Sequence, residues 1–486
     1  MNDSKLIEII KSLSEDELKQ FGHFCRFSTY HKKSLSIKFA DYLLSLYPKF
    51  NPKRLSNEVL FSKLYPNEPF KQKKLYDQVY FLMRLLEDFL AFIDFKEDTF
   101  SQNQHLIASL RKRNHRKAFN KKTASSQQDL DREVERDSNY YYKHFILAYE
   151  SDNYFLMNNL TDRNDSIKDK ARYLDLYYFS SKLRDSCEMI SRQDIINEKY
   201  DFTLTRDLIN VIEENHETYL PQASIRIYLN LFKLLDNKDN EPQFEKCKSI
   251  ILENKNLFSL KEQKSIFELI MNYCVFQINA GQNKYMLELF KLYKFLLETD
   301  ILLESGTLSQ WTYMNISTLA QRLTKFKWAL EFLNNYKDLL PKEHQENAYT
   351  CNMANLHFSQ GEYKEAMFLL HQVEFVDITY ALNSKSTLLK SYYELMEVTP
   401  FEHLAKSFNE YIRRNKLMSE NAKSVYSNSI SYTKKLFGLK LKLRASKRSV
   451  SPDFINSLKD RILKDKNAAN INWIMEKTIE LEKTLS

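Results

Sequence analysis

Five glycines and nine prolines in 486 residues constrain this chain more tightly than any motif in it. Average usage would supply about 34 glycines and about 24 prolines. Each reversal of a sheet calls on Gly, Pro, Asn or Asp, because those residues reach the backbone angles that tight turns need. A chain this poor in Gly cannot close the turns of a sandwich, a barrel or a doubly wound sheet. The fold class expected is therefore all-α, with more than about 65% helix and no sheet.

Hydrophobic residues make up 43% of the chain and aromatics 14%, with 33 Phe and 30 Tyr, which is ample material for a continuous core and argues against disorder. No run of 18 apolar residues occurs, so no membrane span is expected. The opening MNDSKLIEIIKSLSEDELKQ has neither an apolar h-region nor a small-residue cleavage site. Cys25, Cys187, Cys247, Cys274 and Cys351 are odd in number and widely spaced. They read as reduced core residues of a cytoplasmic protein.

The net charge of +8 is unevenly placed. Residues 111–122, RKRNHRKAFNKK, hold seven Lys/Arg and no acid, and residues 411–448 hold eleven Lys/Arg against Glu420. The rest of the chain is net acidic. Such segments attract nucleic acid, anionic lipid or an acidic protein, or else they are solvated helix faces. The basic candidates are Arg111, Lys112, Arg113, Arg116 and Lys117 in the first segment, and Lys434, Lys435, Lys440, Lys442 and Arg444 in the second.

Four regions follow from the pattern. Residues 1–100 read as a helical N-terminal unit. Ser14 and Glu17 form a capping-box signature, a helix near 34–47 stops at Pro48, and Leu75, Val79, Leu82, Leu86 and Leu90 stripe a long helix. Residues 101–199 read as long helices, because no Gly or Pro lies between Pro69 and Pro221; breaks are expected at KTASSQQ (122–128) and NLTDRNDS (159–166). Residues 200–465 read as an α-solenoid of degenerate helix pairs of about 40 residues, and 466–486 as a C-terminal capping helix.

The solenoid rests on a recurring trio: an aromatic or Met, a small or apolar residue three on, and an apolar residue four further. The trios are Phe244/Cys247/Ile251, Met286/Leu289/Tyr293, Phe326/Ala329/Leu333, Tyr363/Ala366/Leu370 and Phe401/Leu404/Phe408, with first members 42, 40, 37 and 38 residues apart. Phe202/Thr205/Ile209 is a looser earlier copy and Phe454/Leu458/Ile462 a stretched later one. Spacings of three and four place each trio on one helix face.

Residues 354–370, ANLHFSQGEYKEAMFLL, resemble a tetratricopeptide repeat, with Ala354 and Leu356 in helix A, Gly361 in the turn, and Tyr363, Ala366 and Leu370 on helix B. Phe326/Ala329 and Phe401/Leu404 match in part, without the turn Gly, and the repeats exceed the family's 34 residues. WAL near 328, SFNEYIRRNK at 407–416 and NWIMEK at 472–477 also resemble a group of bacterial helical-repeat proteins without an established activity. The first resemblance implies that one A-helix position carries Asn315, Asn352 and Lys390, with Asn355 a turn beyond Asn352. In that family Asn at such places clamps extended peptide backbone, since an amide both donates and accepts.

Several chemistries are excluded. The closest glycines, Gly281 and Gly306, are too far apart to cradle a phosphate. There is no HExxH, no paired CxxC and no GxSxG. DNKDN at 236–240 continues into Glu241 and Pro242, so it reads as a helix–helix turn and not a calcium loop. His23 and Cys25 point to different helix faces, and His357, where the family pattern has Tyr, reads as packing. The function expected is non-catalytic: a protein- or peptide-binding helical-repeat scaffold needing no metal or cofactor. The alternatives are a nucleic-acid-associated regulator using the two basic segments, in which Lys71, Lys73 and Lys74 open a helix after a short turn, and an enzyme with an acidic groove.

Overall fold

The computed structural model describes residues 4–27, 34–158, 165–196, 198–373, 377–446, 451–465 and 467–485. It is 81% helical, with 24 α-helices among the described residues. The single exception corrects the expectation of no sheet. Strands β1 (Leu303–Glu304) and β2 (Thr307–Leu308) form a two-residue antiparallel ladder. Ser305 (φ 49°) and Gly306 (φ 78°) join them, and two left-handed central residues make the tight hairpin turn that fits strand twist.

The chain divides into two compact units: residues 1–186 with 201–229, and residues 187–200 with 230–486. The first opens with α1 (Lys5–Ser12), α2 (Glu15–Phe27), α3 (Ser34–Leu44), α4 (Asn57–Leu64) and α5 (Gln72–Glu97). The capping box forms as expected. Ser14 N–H donates to Glu17 Oε2 at 2.7 Å and Glu17 N–H to Ser14 Oγ at 3.2 Å. The α5 stripe turns inward at Leu75, Leu82 and Leu86, joined by Leu85 and Phe89, onto Phe21, Phe39 and Phe61.

Next come α6 (Thr99–Lys112), α7 (Arg116–Arg132), α8 (Ser138–Met157) and, as far as Ser186, α9 (Ser166–Ile196). The break expected at 122–128 is wrong, because α7 runs unbroken through it. Ser126 and Leu130 bury on one face of that helix, and nothing in KTASSQQ removes a backbone donor or needs a left-handed angle. The true break is Asn114, at φ 53°, where His115 N–H closes back onto Leu110 O at 3.1 Å. Of the break expected at 159–166, residues 159–164 lie outside the described residues. A small core of Ile107, Phe119, Leu130, Leu147 and Tyr154 joins α6, α7 and α8. Helices α10 (Thr203–Glu214), α11 (His216–Tyr219) and the start of α12 (Ala223–Asp236) complete the unit.

The second unit contains α13 (Glu241–Asn254), α14 (Leu260–Asn279), α15 (Lys284–Glu298), α16 (Gln310–Arg322), α17 (Phe326–Tyr336), α18 (Gln345–Ser359), α19 (Tyr363–Leu370), α20 (Ile378–Leu395), α21 (Val398–Arg414), α22 (Glu420–Ala445), α23 (Pro452–Asp465) and α24 (Ile471–Leu485). From α14 to α22 each helix packs on its neighbour in sequence, and α16, α18, α20 and α22 also pack each on the next of the row. Every trio lies on an odd-numbered helix from α13 to α23, except the early copy, whose three buried residues are Phe202 at the N-cap of α10 and Thr205 and Ile209 within it. Two trios shift by one residue. In α21 the fully buried small residue is Ala405, beside the half-buried Leu404. In α23 Phe454 is exposed and the buried set is Ile455, Leu458 and Ile462, which restores the three-plus-four spacing. DNKDN is a helix–helix turn, with Asn240 capping α13 through Gln243 N–H at 3.2 Å.

One closing turn recurs. Gln282 N–H bonds Gln277 O at 2.9 Å, Lys325 N–H bonds Ala320 O at 2.9 Å, Glu362 N–H bonds His357 O at 2.9 Å, and Glu397 N–H bonds Tyr392 O at 3.0 Å. Each bond spans five residues and encloses one left-handed residue: Gly281, Thr324, Gly361 and Met396. This is the six-to-one closure of a helix end, which satisfies carbonyls left without helical partners.

Candidate functional site

The candidate A-helix row is built by α16, α18, α20 and α22. Asn315 is exposed on α16. Asn352 on α18 is wholly buried; its Nδ2 donates back to Ala348 O at 2.8 Å and its Oδ1 has no partner. Asn355, a turn on, is half-buried and accepts from Thr387 Oγ1 at 2.8 Å. The amides expected to share one position therefore do not share one environment, and Asn352 presents no amide to a peptide. The reason is that α20 is enclosed by its neighbours, with eleven buried residues along its length. Tyr380 and Asn383 of α20 reach past α18 to α16. Tyr380 Oη–H donates to Gln310 O at 3.2 Å and its ring stacks on Trp311, while Asn383 Nδ2 meets Met314 Sδ at 3.1 Å.

Lys390 of α20 is half-buried, with its ammonium 4.5 Å from the centre of the Phe358 ring. Burial pushes its pKa down to about 8, against a small opposing pull from Glu394. Glu394 itself is claimed by others, Lys477 at 3.0 Å and Lys440 at 3.6 Å. Burial also draws Lys440 below the ordinary lysine range, although Glu394 opposes it. Burial acts the same way on Lys477, but Glu480 and Glu394 more than offset it and hold that lysine above the ordinary range. Sequence reasoning missed this cluster. Its one local trace is Glu394 a turn after Lys390, and Lys477 arrives from the far end of the chain. His357 does more than pack, since its Nδ1 meets Glu362 Oε2 at 2.5 Å across the α18–α19 turn.

Within each basic segment the side chains divide between exposed and half-buried places. Arg111 is half-buried and its Nε donates to Glu150 at 2.6 Å. Arg113 folds back onto Ser109. Lys112, Arg116 and Lys117 are exposed around the α6–α7 turn. On α22 the pattern faces inward at Tyr432, Leu436, Leu439 and Leu443, leaving Lys434, Lys435, Lys442 and Arg444 exposed. Lys434 pairs with Glu402 at 3.4 Å, and half-buried Lys440 donates to Tyr393 O at 3.2 Å. Residues 447 and 448 of the second segment lie outside the described residues.

Among the described residues no three His, Cys, Asp or Glu side chains gather in a metal-sized group, and no helix is long and apolar enough to cross a membrane. All five cysteines are buried thiols, and burial raises every one of them, Cys25, Cys247 and Cys274 to about 12. Compared with known proteins, the chain matches no family model, no curated protein and no solved structure.

Proposed function

We propose that this chain is a non-catalytic, cytoplasmic, tetratricopeptide-like scaffold that binds a protein or peptide partner. The observation that carries the reading is the recurring unit of the second half: an even-numbered helix, a six-to-one closing turn on a left-handed residue, and an odd-numbered helix that buries the last two members of its trio, with Ala405 in place of Leu404 on α21. Stacked helix pairs offer extended surface for a partner. Two faces compete for that role. The first carries Asn315 and Asn355, narrowed where α20 bridges to α16. The second is the outer side of the odd-numbered helices, which leaves Leu330 of α17 and Phe368 of α19 exposed at 40% and 67%.

The test is selection from a displayed peptide library on the immobilised full chain, followed by titration of enriched peptides against Asn315→Ala/Asn355→Ala and Leu330→Ser/Phe368→Ser. Saturable binding weakened by one pair and not the other supports the scaffold and identifies the face. Absence of enrichment, or binding indifferent to both pairs, overturns it. A second reading, nucleic-acid association, draws on Lys112, Arg116 and Lys117, which have no carboxylate partner among the described residues.

A further inference from the structure

Helix α21 buries Phe401, Ala405, Phe408 and Ile412, a stripe at three- and four-residue spacing that fixes which side of the helix turns inward. The residue after each of them, Glu402, Lys406, Asn409 and Arg413, falls on one row beside that stripe. The row, with Glu410 and with Lys434 of α22, lines a groove of about 570 Å³ in the second unit. These side chains all reach solvent: Asn409 and Glu410 are half-buried and the others are exposed.

The charges of the groove are unevenly matched. Glu402 is engaged by Lys434 at 3.4 Å, and Glu410 faces Arg414 at 3.9 Å. Lys406 and Arg413 have no carboxylate partner among the described residues. Seven helical residues set them about 10 Å apart along the axis. Asn409 stands between them with an amide that both donates and accepts. Glu410 stands between them too, and repels a negative charge placed there.

A ligand matched to this row carries two anionic groups about 10 Å apart with an uncharged, polar stretch between them. A nucleic-acid strand fits poorly, because its phosphates follow one another about every 3.4 Å of duplex and one would face Glu410. A peptide in the polyproline II form fits. It has three residues per turn and rises about 3.1 Å per residue, so side chains three apart lie on one side at about 9 Å, with solvated backbone groups between them.

We infer that this groove binds an extended acidic peptide in which two carboxylates are separated by two uncharged residues. The carboxylates pair with Lys406 and Arg413, and the backbone between them meets the Asn409 amide. The site goes beyond the two faces above and uses none of their residues, so substitutions at Asn315, Asn355, Leu330 and Phe368 leave it intact.

The test is fluorescence anisotropy of the full chain with a dye-labelled, end-blocked peptide, Pro-Glu-Pro-Pro-Glu-Pro, at about 50 mM salt, where surface charges are weakly screened. The same peptide with both Glu replaced by Gln should bind roughly tenfold more weakly, as loss of two exposed ion pairs implies. A peptide with the two Glu adjacent should also bind more weakly. Lys406→Gln/Arg413→Gln should weaken the spaced acidic peptide roughly tenfold and leave the Gln peptide unchanged. Glu410→Gln removes the opposing charge and should tighten the spaced peptide, a gain that a folding defect cannot mimic. Absence of saturable binding, equal binding of the spaced peptide and either control, or affinity indifferent to Lys406→Gln/Arg413→Gln would overturn the inference. A DNA duplex held more tightly than the peptide and released by that same pair would overturn it in favour of phosphate contacts. Failure here removes this groove alone, since the two faces of the scaffold are tested by their own substitutions.

Discussion

Thr324 holds a β-branched side chain at φ 55°, a backbone region that penalises such residues by roughly 1–2 kcal/mol. It does so because the helix closure that Gly281 and Gly361 make at no steric cost is needed there too. Substituting Thr324→Gly should therefore stabilise the protein by roughly 1 kcal/mol after the entropy of the added glycine is counted. Gly361→Ala should destabilise it by a similar amount, and for conformational reasons alone, since a Cβ there meets nothing within 4 Å. Urea midpoints at constant slope would register both. A loss of stability in Thr324→Gly would refute the shared turn. At Lys390 the sign with pH can be worked out. Its folded pKa, about 8, lies below the ordinary 10.5. Between those values the unfolded chain binds more protons, so this residue's contribution to stability rises with pH across the window. Below the window the cost of burying the ammonium is fully present, and above it the cost is gone. Lys390→Met should be more stable than the parent at pH 7, by roughly 1 kcal/mol, and the difference should shrink as pH approaches 10.5. A pH-independent difference would assign the effect to packing instead.

At the scale of the element, the sequence was most readable where one face alone is buried. The trios found α13, α15, α17, α19 and α21 because each of these helices buries a narrow stripe. The same rule puts Ala366, wholly buried on α19, where a larger side chain has no room. Ala366→Leu should cost roughly 1–3 kcal/mol by overpacking, and an unchanged thermal midpoint would count against the alignment. The Asn row failed for the opposite reason. α20 is buried on most of its circumference, so no stripe distinguishes its inner from its outer side, and equal spacing along the chain did not mean equal exposure for Asn315, Asn352 and Lys390. The break expected in α7 is absent because Ser and Thr, frequent in loops, do not by themselves end a helix, and Ser126 is buried within an unbroken one. The left-handed residue that does end α6 is Asn114, a type enriched at such angles. His144 carries no sequence signal: its contact with Gln127 joins α8 to α7 across the fold.

At the scale of the molecule, charge decides between the two partner classes, and the structure changes how the question should be asked. The sequence groups Lys434, Lys435, Lys440 and Lys442 as one basic segment. On α22 they divide: Lys440 is half-buried between Glu394 and the Tyr393 carbonyl, whereas Lys434 and Lys435 are exposed. Lys440→Gln should thus lower stability, while Lys434→Gln/Lys435→Gln should leave it nearly unaltered, because exposed charges contribute little each. Lys434 and Lys435 are a fair probe of nucleic-acid binding here, as Lys440 is not, and Arg116→Gln/Lys117→Gln is their counterpart at the α6–α7 turn. A protein that binds duplex DNA through phosphate contacts loses affinity with a log–log salt slope near −0.9 per contact. Fluorescence anisotropy with a labelled duplex at low and near-physiological salt should show weak binding, with neither pair of substitutions moving the slope. The exposed lysines would then be solvated helix faces, and the scaffold reading stands. Micromolar or tighter affinity would reverse the order of the two readings if its steep salt slope falls by nearly two contacts in Arg116→Gln/Lys117→Gln. It would also place the nucleic-acid contact on the first unit.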